Sequence, residues 1–234
     1  MSEIEAIILA GGKGTRLRTV VSDRPKVMAM VNERPFLSRL LDQLKRAQIK
    51  SVVLSTGYMA EQIESAIGES YDGISVRYSR EAQPLGTAGG LRLALGKTVS
   101  EPVLVLNGDS FCAVDLEEFY QYHCAKNARA TILLTQVEDT SRFGRVETDD
   151  RGSVIKFEEK GGVASPGWIN AGVYCLDRNV VEDLPQGEEK SLEREVFPEL
   201  IGSGLFGFRG GGDFVDIGTP QSYGEAQTFF EPRK

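Results

Sequence analysis

The chain has 234 residues but only one histidine, one tryptophan and three cysteines. Each scarcity excludes something. Nucleophile pairs of the Ser–His or Cys–His kind would all have to share His123, which lies in "LEEFYQYHCAK" on a helical face with Leu116, Phe119 and Tyr120. That setting points to packing and weakens hydrolase readings. Cys112, Cys124 and Cys175 are odd in number, far apart and form no CxxC pair, so neither a disulfide framework nor a zinc site is indicated. Buried thiols in a reducing cytoplasm fit better. The apolar run near the N-terminus is too short to span a membrane, and it lacks the basic leader and longer apolar core of a secretion signal. Positive charge is also in deficit: 27 Lys and Arg against 34 Asp and Glu give a formal net charge of -7. That argues against broad electrostatic binding to nucleic acid or to an anionic membrane surface, both of which want a basic face. Any phosphate must be met by local cations.

What is present is an ordinary soluble composition, 41% apolar and 26% charged, with no low-complexity tract. The length suits one substantial core, expected as a single unit over residues 1–234. "IEAIILA" reads as a buried strand entering a glycine loop at Gly11, Gly12 and Gly14. "PFLSRLLDQLKRAQI" has helical spacing and "SVVLSTGY" is a second strand, completing a β-α-β unit. "MAEQIESAIG" reads as a helix, "ISVRYS" as a strand, "LGTAGGLRLALG" as a loop entering a helix and "PVLVLNGDS" as a buried strand. Strands alternating with helices imply a parallel sheet covered on both faces. From "ARATILLTQV" through "RVETDD", "SVIKFEEK" and "INAGVYCLD" the pattern turns strand-rich and predicts mixed or antiparallel pairing. "SLEREVFPELIG" reads as a helix, and "FVDIGTPQSYGEAQTFF" leads a strand end into a last helix through Thr219 and Pro220.

In open parallel sheets ligands bind beyond the carboxyl ends of the strands. The first such loop, "LAGGKGTRLR", fails the P-loop pattern because no Gly-Lys-Ser/Thr ends it, and fails the dinucleotide fingerprint because Leu17 replaces the third glycine. Gly12, Lys13, Gly14, Thr15 and Arg16 still combine backbone donors with two cations, as an anionic phosphate chain needs, and Lys26 adds another. Asp109 in "LNGDS" and Asp216 in "FVDIGTP" stand at strand ends. Carboxylates that converge there could hold magnesium, although spacing does not establish the convergence. "KFEEKGG" offers Glu159 and Lys160 and "INAG" offers Asn170, readable as a solvated edge or as contacts to phosphate and sugar hydroxyls.

Taken in order, "LAGGKGTRLR", "RPKVM", "PLGTAGG", "LNGDS", "FEEK", "INAGVY" and "VDIGTP" resemble the sugar-1-phosphate nucleotidyltransferases and span nearly the whole chain. Within that family, "RLRTVVSDRPK" and "YMAEQIESAIGESYDGISVRYSREAQPLGTAGG" are most similar to the D-glycero-α-D-manno-heptose 1-phosphate guanylyltransferases. The resemblance implies a Rossmann-like mixed α/β fold with a nucleotide-binding portion over about 1–112 and a smaller β-rich sugar-phosphate portion over about 113–234. It implies that Leu9, Ala10, Gly11, Gly12, Gly14, Thr15, Arg16 and Lys26 hold base and phosphates, with Gly86 and Thr87 lining the base pocket. Asp109 and Asp216 would bind Mg2+, Gly144, Glu159 and Asn170 would contact the sugar, and Lys160 its phosphate. Arg16, Lys26, Asp109 and Lys160 would carry the catalysis, and Glu81 is a candidate acceptor for guanine.

The implied reaction joins a nucleoside monophosphate, from GTP before other donors, to a sugar 1-phosphate and releases pyrophosphate. Mannose 1-phosphate guanylyltransferase, a uridylyl- or thymidylyltransferase, and a catalytically silent regulatory subunit are the alternatives. A cytoplasmic setting and a small homo-oligomer are expected, with the activated sugar destined for a surface glycan. The chain lacks the hexapeptide-repeat domain of some relatives, so a coupled acyltransferase activity is not expected. Two departures stand out: Arg18 and Thr19 follow the Arg-Leu pair where many relatives have proline, so a different bend is expected. Likewise Gly161 and Gly162 follow Lys160 instead of proline, which predicts a looser edge to the sugar pocket.

Overall fold

The computed structural model describes residues 3–158 and 164–231. Its first apolar run is strand β1 (Glu5–Ala10), whose side chains alternate between two cores: Ala6 and Ile8 enter one, Ile7 the other. A strand covered on both faces needs apolar residues at every position, and "AIILA" meets that need. The short hairpin β2 (Met30–Val31) and β3 (Arg34–Pro35) leads into α1 (Phe36–Arg46), and β4 (Ser51–Thr56) and α2 (Ala60–Ile67) follow. Next come β5 (Ser70–Tyr71), β6 (Ile74–Arg80), α3 (Gly86–Leu95) and β7 (Val103–Asn107). β7, β1, β4 and β6 are parallel neighbours in that order. Phe36, Leu37, Leu40, Leu41 and Leu44 of α1 cover one face of this sheet, and Ala88, Leu91, Ala94 and Leu95 of α3 cover the other.

The second half supplies β8 (Ser110–Cys112), α4 (Leu116–Ala125), β9 (Ala130–Val137), β10 (Arg145–Thr148), β11 (Val154–Glu158), β12 (Gly167–Leu176) and α5 (Arg178–Glu182). It closes with α6 (Phe197–Leu200), β13 (Leu205–Phe208), β14 (Phe214–Asp216) and α7 (Pro220–Phe229). β12 pairs antiparallel with β7, so both halves share one ten-stranded mixed sheet flanked by helices. The fold is the mixed, mostly parallel nucleotidyltransferase architecture that the sequence leads one to expect. "SLEREVFPELIG" differs in detail, beginning as a π-helical turn over Leu192–Val196 before α6. His123 on α4 is 2% exposed, with Nδ1 2.9 Å from Thr131 Oγ1 and Nε2 3.4 Å from Asp177 Oδ1. Burial holds its pKa below the ordinary histidine value against the pull of Asp177, as befits a packing residue.

One irregularity opens the binding cleft. On the same edge, β12 pairs first with β10, through Ile169 and Arg145, and then with β7, through Val173–Leu176. Between the two its register to β9 shifts, from Asn170 to Tyr174, and Gly172 adopts φ +79°. A Cβ there would stand 2.5 Å from Ser110 Oγ, so only glycine fits this bulge. The ends of β7 and β10 splay around it.

Candidate active site

A cavity of about 1150 Å³ lies at the splayed strand ends, larger than a single small-molecule site requires. It brings together Leu9, Ala10, Gly11, Gly12, Arg16 and Lys26 from β1 and the segment after it with Glu81, which follows β6, and Gly86 and Thr87 at the start of α3. Asp109, Gly144, Asn170 and Asp216 line the same space. Gly14 and Thr15 do not line it. Gly14, at φ +59°, backs the loop instead, because a Cβ there would meet Lys26 Cβ at 2.9 Å, and Thr15 sits in the exposed turn beyond it. Glu159, Lys160 and the Gly161–Gly162 pair lie outside the described residues.

The glycine loop is shaped without the proline common in relatives. Leu17, 1% exposed, anchors a 3-10 turn over Leu17–Thr19. Arg18 then takes up the neighbouring role: Nε donates to the Lys13 carbonyl at 3.1 Å and its guanidinium lies 4.3 Å from the centroid of the Tyr58 ring. Gly57 lets the backbone of Gly11 approach, since a Cβ there would stand 3.0 Å from the Gly11 carbonyl oxygen.

The charged centre rests on a contact the sequence does not announce. β8 pairs antiparallel with β14, setting Ser110 opposite Asp216, and Ile217 N–H donates to the Asp109 carbonyl at 2.9 Å. Both carboxylates thereby reach one wall. Lys26 Nζ donates to Asp109 Oδ2 at 2.6 Å; the lysine side chain is 11% exposed and the aspartate 46%. Asp216 Oδ1 accepts from Gly218 N–H at 2.6 Å and Ser222 Oγ at 2.9 Å, and Oδ2 accepts from Arg142 at 3.1 Å. Among the described residues no group of three or more His, Cys, Asp and Glu side chains could hold a metal. Two carboxylates are instead the donor set that suits magnesium, whose remaining positions are filled by substrate phosphates and water. The residues present fit that ion.

Glu81 forms the floor under the first loop. A Cβ on Gly11 would stand 2.7 Å from Glu81 Oε1, and one on Gly90 2.5 Å from it. Leu85 N–H donates to Oε2 at 3.1 Å and Ser55 Oγ to Oε1 at 3.4 Å. Burial pushes the Glu81 pKa up, and these two donors only partly offset it.

Sequence reasoning missed Asn107, Arg142, Tyr174 and Glu193. Fully buried Tyr174 donates its hydroxyl proton to Glu193 Oε1 at 3.0 Å and accepts from Asn107 Nδ2 at 3.1 Å and Asn170 Nδ2 at 2.9 Å. Burial foremost, and then Glu193, raises the Tyr174 pKa well above the phenol value. Asn107 could have been found as the polar end of "VLVLN", one residue before the Gly108–Asp109 turn. Arg142 and Glu193 carry no such signal, because both lie among charged residues that read as solvated surface.

Known proteins share the sequence and the fold of this chain. A family model described as Nucleotidyl transferase matches residues 5–233. The chain is 41% identical over 225 residues to the D-glycero-alpha-D-manno-heptose 1-phosphate guanylyltransferase of Aneurinibacillus thermoaerophilus, covering 96% of this chain and 97% of that protein. It is 38% identical to the Mannose-1-phosphate guanylyltransferase of Mycobacterium tuberculosis, over 94% of this chain but 63% of that protein. The crystal structure of HddC from Yersinia pseudotuberculosis complexed with GMP-PN superposes with a TM-score of 0.85 at 31% identity, covering 97% of this chain and 100% of that one. With a match that spans the sheet, both cores and the cleft, the chain belongs to the nucleotidyl transferase family.

Proposed function

We propose that the protein transfers GMP from GTP to D-glycero-α-D-manno-heptose 1-phosphate, forming GDP-heptose and pyrophosphate. The observation that carries the reading is the single cleft in which the glycine loop, Lys26 and the Asp109–Asp216 pair face Glu81 on one side and Asn170 on the other. Similarity to the heptose enzyme over nearly the full length of both chains supports the sugar. Mannose 1-phosphate is the second reading, supported by 38% identity to an enzyme named for it.

In this reading residues 1–112 hold the nucleotide and 113–234 the sugar phosphate. Guanine presents an N1–H and a 2-amino group, and Glu81 supplies the carboxylate acceptor for them. Backbone N–H groups of the first loop and the Arg16 guanidinium hold the triphosphate. Asn170 and the backbone at Gly144 face the sugar hydroxyls, and Glu159 and Lys160 are assigned to the sugar and its phosphate by motif alone. An oxygen of the sugar phosphate attacks the α-phosphorus in line; the bond from that phosphorus to the β-phosphate oxygen breaks and pyrophosphate leaves. The nucleophile needs no base, because a phosphate monoester with a second pKa of about 6 is already largely dianionic at neutral pH. The work is bringing two anions together, and Lys26, held in place by Asp109, offsets charge at the reacting centre. Asp109 and Asp216 would hold Mg2+, which when bound supplies Lewis-acid neutralisation of phosphate charge.

The test is product analysis with purified protein, GTP, the heptose phosphate and magnesium. One pyrophosphate per GDP-heptose is expected, with UTP turned over far more slowly; equal turnover of GTP and UTP would sink the base assignment.

A further inference from the structure

We propose that Glu193 is a positioning residue that ties the nucleotide half of the cleft to the sugar half, so that filling one side orders the other. The inference rests on the division of the cleft proposed above. Its basis is a chain of hydrogen bonds with no slack. Glu193 Oε2 accepts from Thr87 Oγ1 at 2.7 Å and from Ser191 Oγ at 3.0 Å, and Leu192 N–H donates to Thr87 Oγ1 at 2.9 Å. These contacts fix the carboxylate to the first turn of α3, beside Gly86. The fit there is tight: a Cβ on Gly86 would collide with the Lys190 carbonyl oxygen, and Ala88 N–H donates to that oxygen at 2.9 Å. The segment bearing Glu193 is therefore moulded onto the nucleotide side.

The other carboxylate oxygen looks toward the sugar side. Tyr174 accepts from both asparagine amides, which uses its two lone pairs, so its single proton has Glu193 Oε1 as its acceptor. That assignment fixes both amides. Asn170 must turn Nδ2 to Tyr174, leaving Oδ1 to accept from Gly172 N–H at 2.9 Å at the apex of the bulge. Asn107 must do the same, and its buried Oδ1 has no hydrogen-bond partner among the described residues. The relay thus runs from Thr87 through Glu193 and Tyr174 to the bulge that opens the cleft, and ends at Asn107, a lining residue whose Oδ1 is buried behind the wall. The π-helical turn over Leu192–Val196 carries the hub, a geometry that recurs at functional positions.

Glutamine at 193 breaks this logic. Tyr174 has no lone pair left to receive an N–H, so the glutamine must turn its oxygen to Tyr174; Nε2 then faces Thr87 and Ser191, whose hydroxyl protons lose their acceptor, and the hub loosens from α3. The measurement is amide hydrogen exchange with and without GTP and magnesium, following peptides that cover the first loop and residues 167–176, in the parent, Glu193→Gln and Tyr174→Phe. The parent is expected to slow at both segments when GTP is added. Both variants should keep the slowing at the first loop and lose it at the bulge. In steady-state assays Glu193→Gln should raise KM for both substrates by about fivefold or more, the scale of one lost hydrogen bond, with a smaller effect on kcat. Tyr174→Phe deletes only a hydroxyl and supplies the result should Glu193→Gln fold poorly. Slowing at the loop but not at the bulge in the parent, or at the bulge undiminished in the variants, would overturn the relay alone. Slowing at neither segment in the parent would overturn the nucleotide assignment with it.

Discussion

Lys26→Met separates charge from packing at the reacting centre. The side chain is 11% exposed and its methylenes lie under Gly14, where methionine keeps the apolar contact. What goes is the ammonium group 2.6 Å from Asp109 Oδ2. The Asp109 side chain is 46% exposed and stays hydrated once the Lys26 ammonium is gone, so the lost ion pair is worth about 1 kcal/mol or less. For a chain of this size that lowers Tm by about 2–4 °C. The transition state is another matter. A preorganised charge facing a developing anion in a partly water-excluded cleft is typically worth about 3–4 kcal/mol, a 10²–10³-fold fall in kcat. Expected, then, is a variant that melts close to the parent and retains GTP binding, but turns over at least about a hundredfold more slowly. Paired measurement of Tm and kcat decides the matter. A folded variant with kcat within threefold of the parent would refute the role of Lys26, and a Tm loss above about 10 °C would show that the pair is chiefly structural.

Glu81→Gln should weaken GTP binding by about tenfold, since one guanine N–H then meets a donor. Because burial raises the folded pKa of Glu81, the parent carries a stability cost that grows as pH rises from the unfolded to the folded pKa and is absent below both. The free variant should therefore melt above the parent at neutral pH, with the gap closing in acid; a pH series of melting curves checks the sign. Asp216→Asn leaves Arg142 without its carboxylate partner and should raise the magnesium needed for half-maximal rate several-fold, read from a metal titration of pyrophosphate release. Chelation should stop turnover in the parent and added magnesium restore it. Arg18→Ala removes the stacking on Tyr58 and the bond to Lys13, and should raise KM for GTP about three- to tenfold while leaving kcat unchanged.

The layered architecture was legible because local patterns encode it. "AIILA" and "VLVLN" are apolar at consecutive positions, as strands covered on both faces must be, and α1 shows its buried stripe at helical spacing. Loops at the ends of those strands could be picked out for the same reason, with Gly11, Lys26 and Asp109 among them. Illegible were the features made by pairing between distant segments. Asp109 and Asp216 line one cleft because three residues of β8 pair with three of β14 across more than a hundred positions of chain. Neither strand is long enough to announce itself. Arg18 could be seen to replace a proline, but not that it would brace the loop against Tyr58. Glu193 sits in "GEEKSLEREV", where nothing distinguishes an inward carboxylate from the solvated ones around it. Its orientation is set by Tyr174 and Thr87, whose hydroxyls reach it only once the sheet has closed.

The most direct measurement of the central claim is kcat/KM for magnesium-dependent pyrophosphate release across GTP, ATP, UTP, CTP and dTTP paired with heptose, mannose and glucose 1-phosphates. The account predicts that GTP with D-glycero-α-D-manno-heptose 1-phosphate exceeds every other pair. A higher kcat/KM for GTP with mannose 1-phosphate would keep the guanylyl chemistry and reject the heptose. Preference for UTP or dTTP would contradict the role of Glu81, and no turnover with any pair would contradict the account.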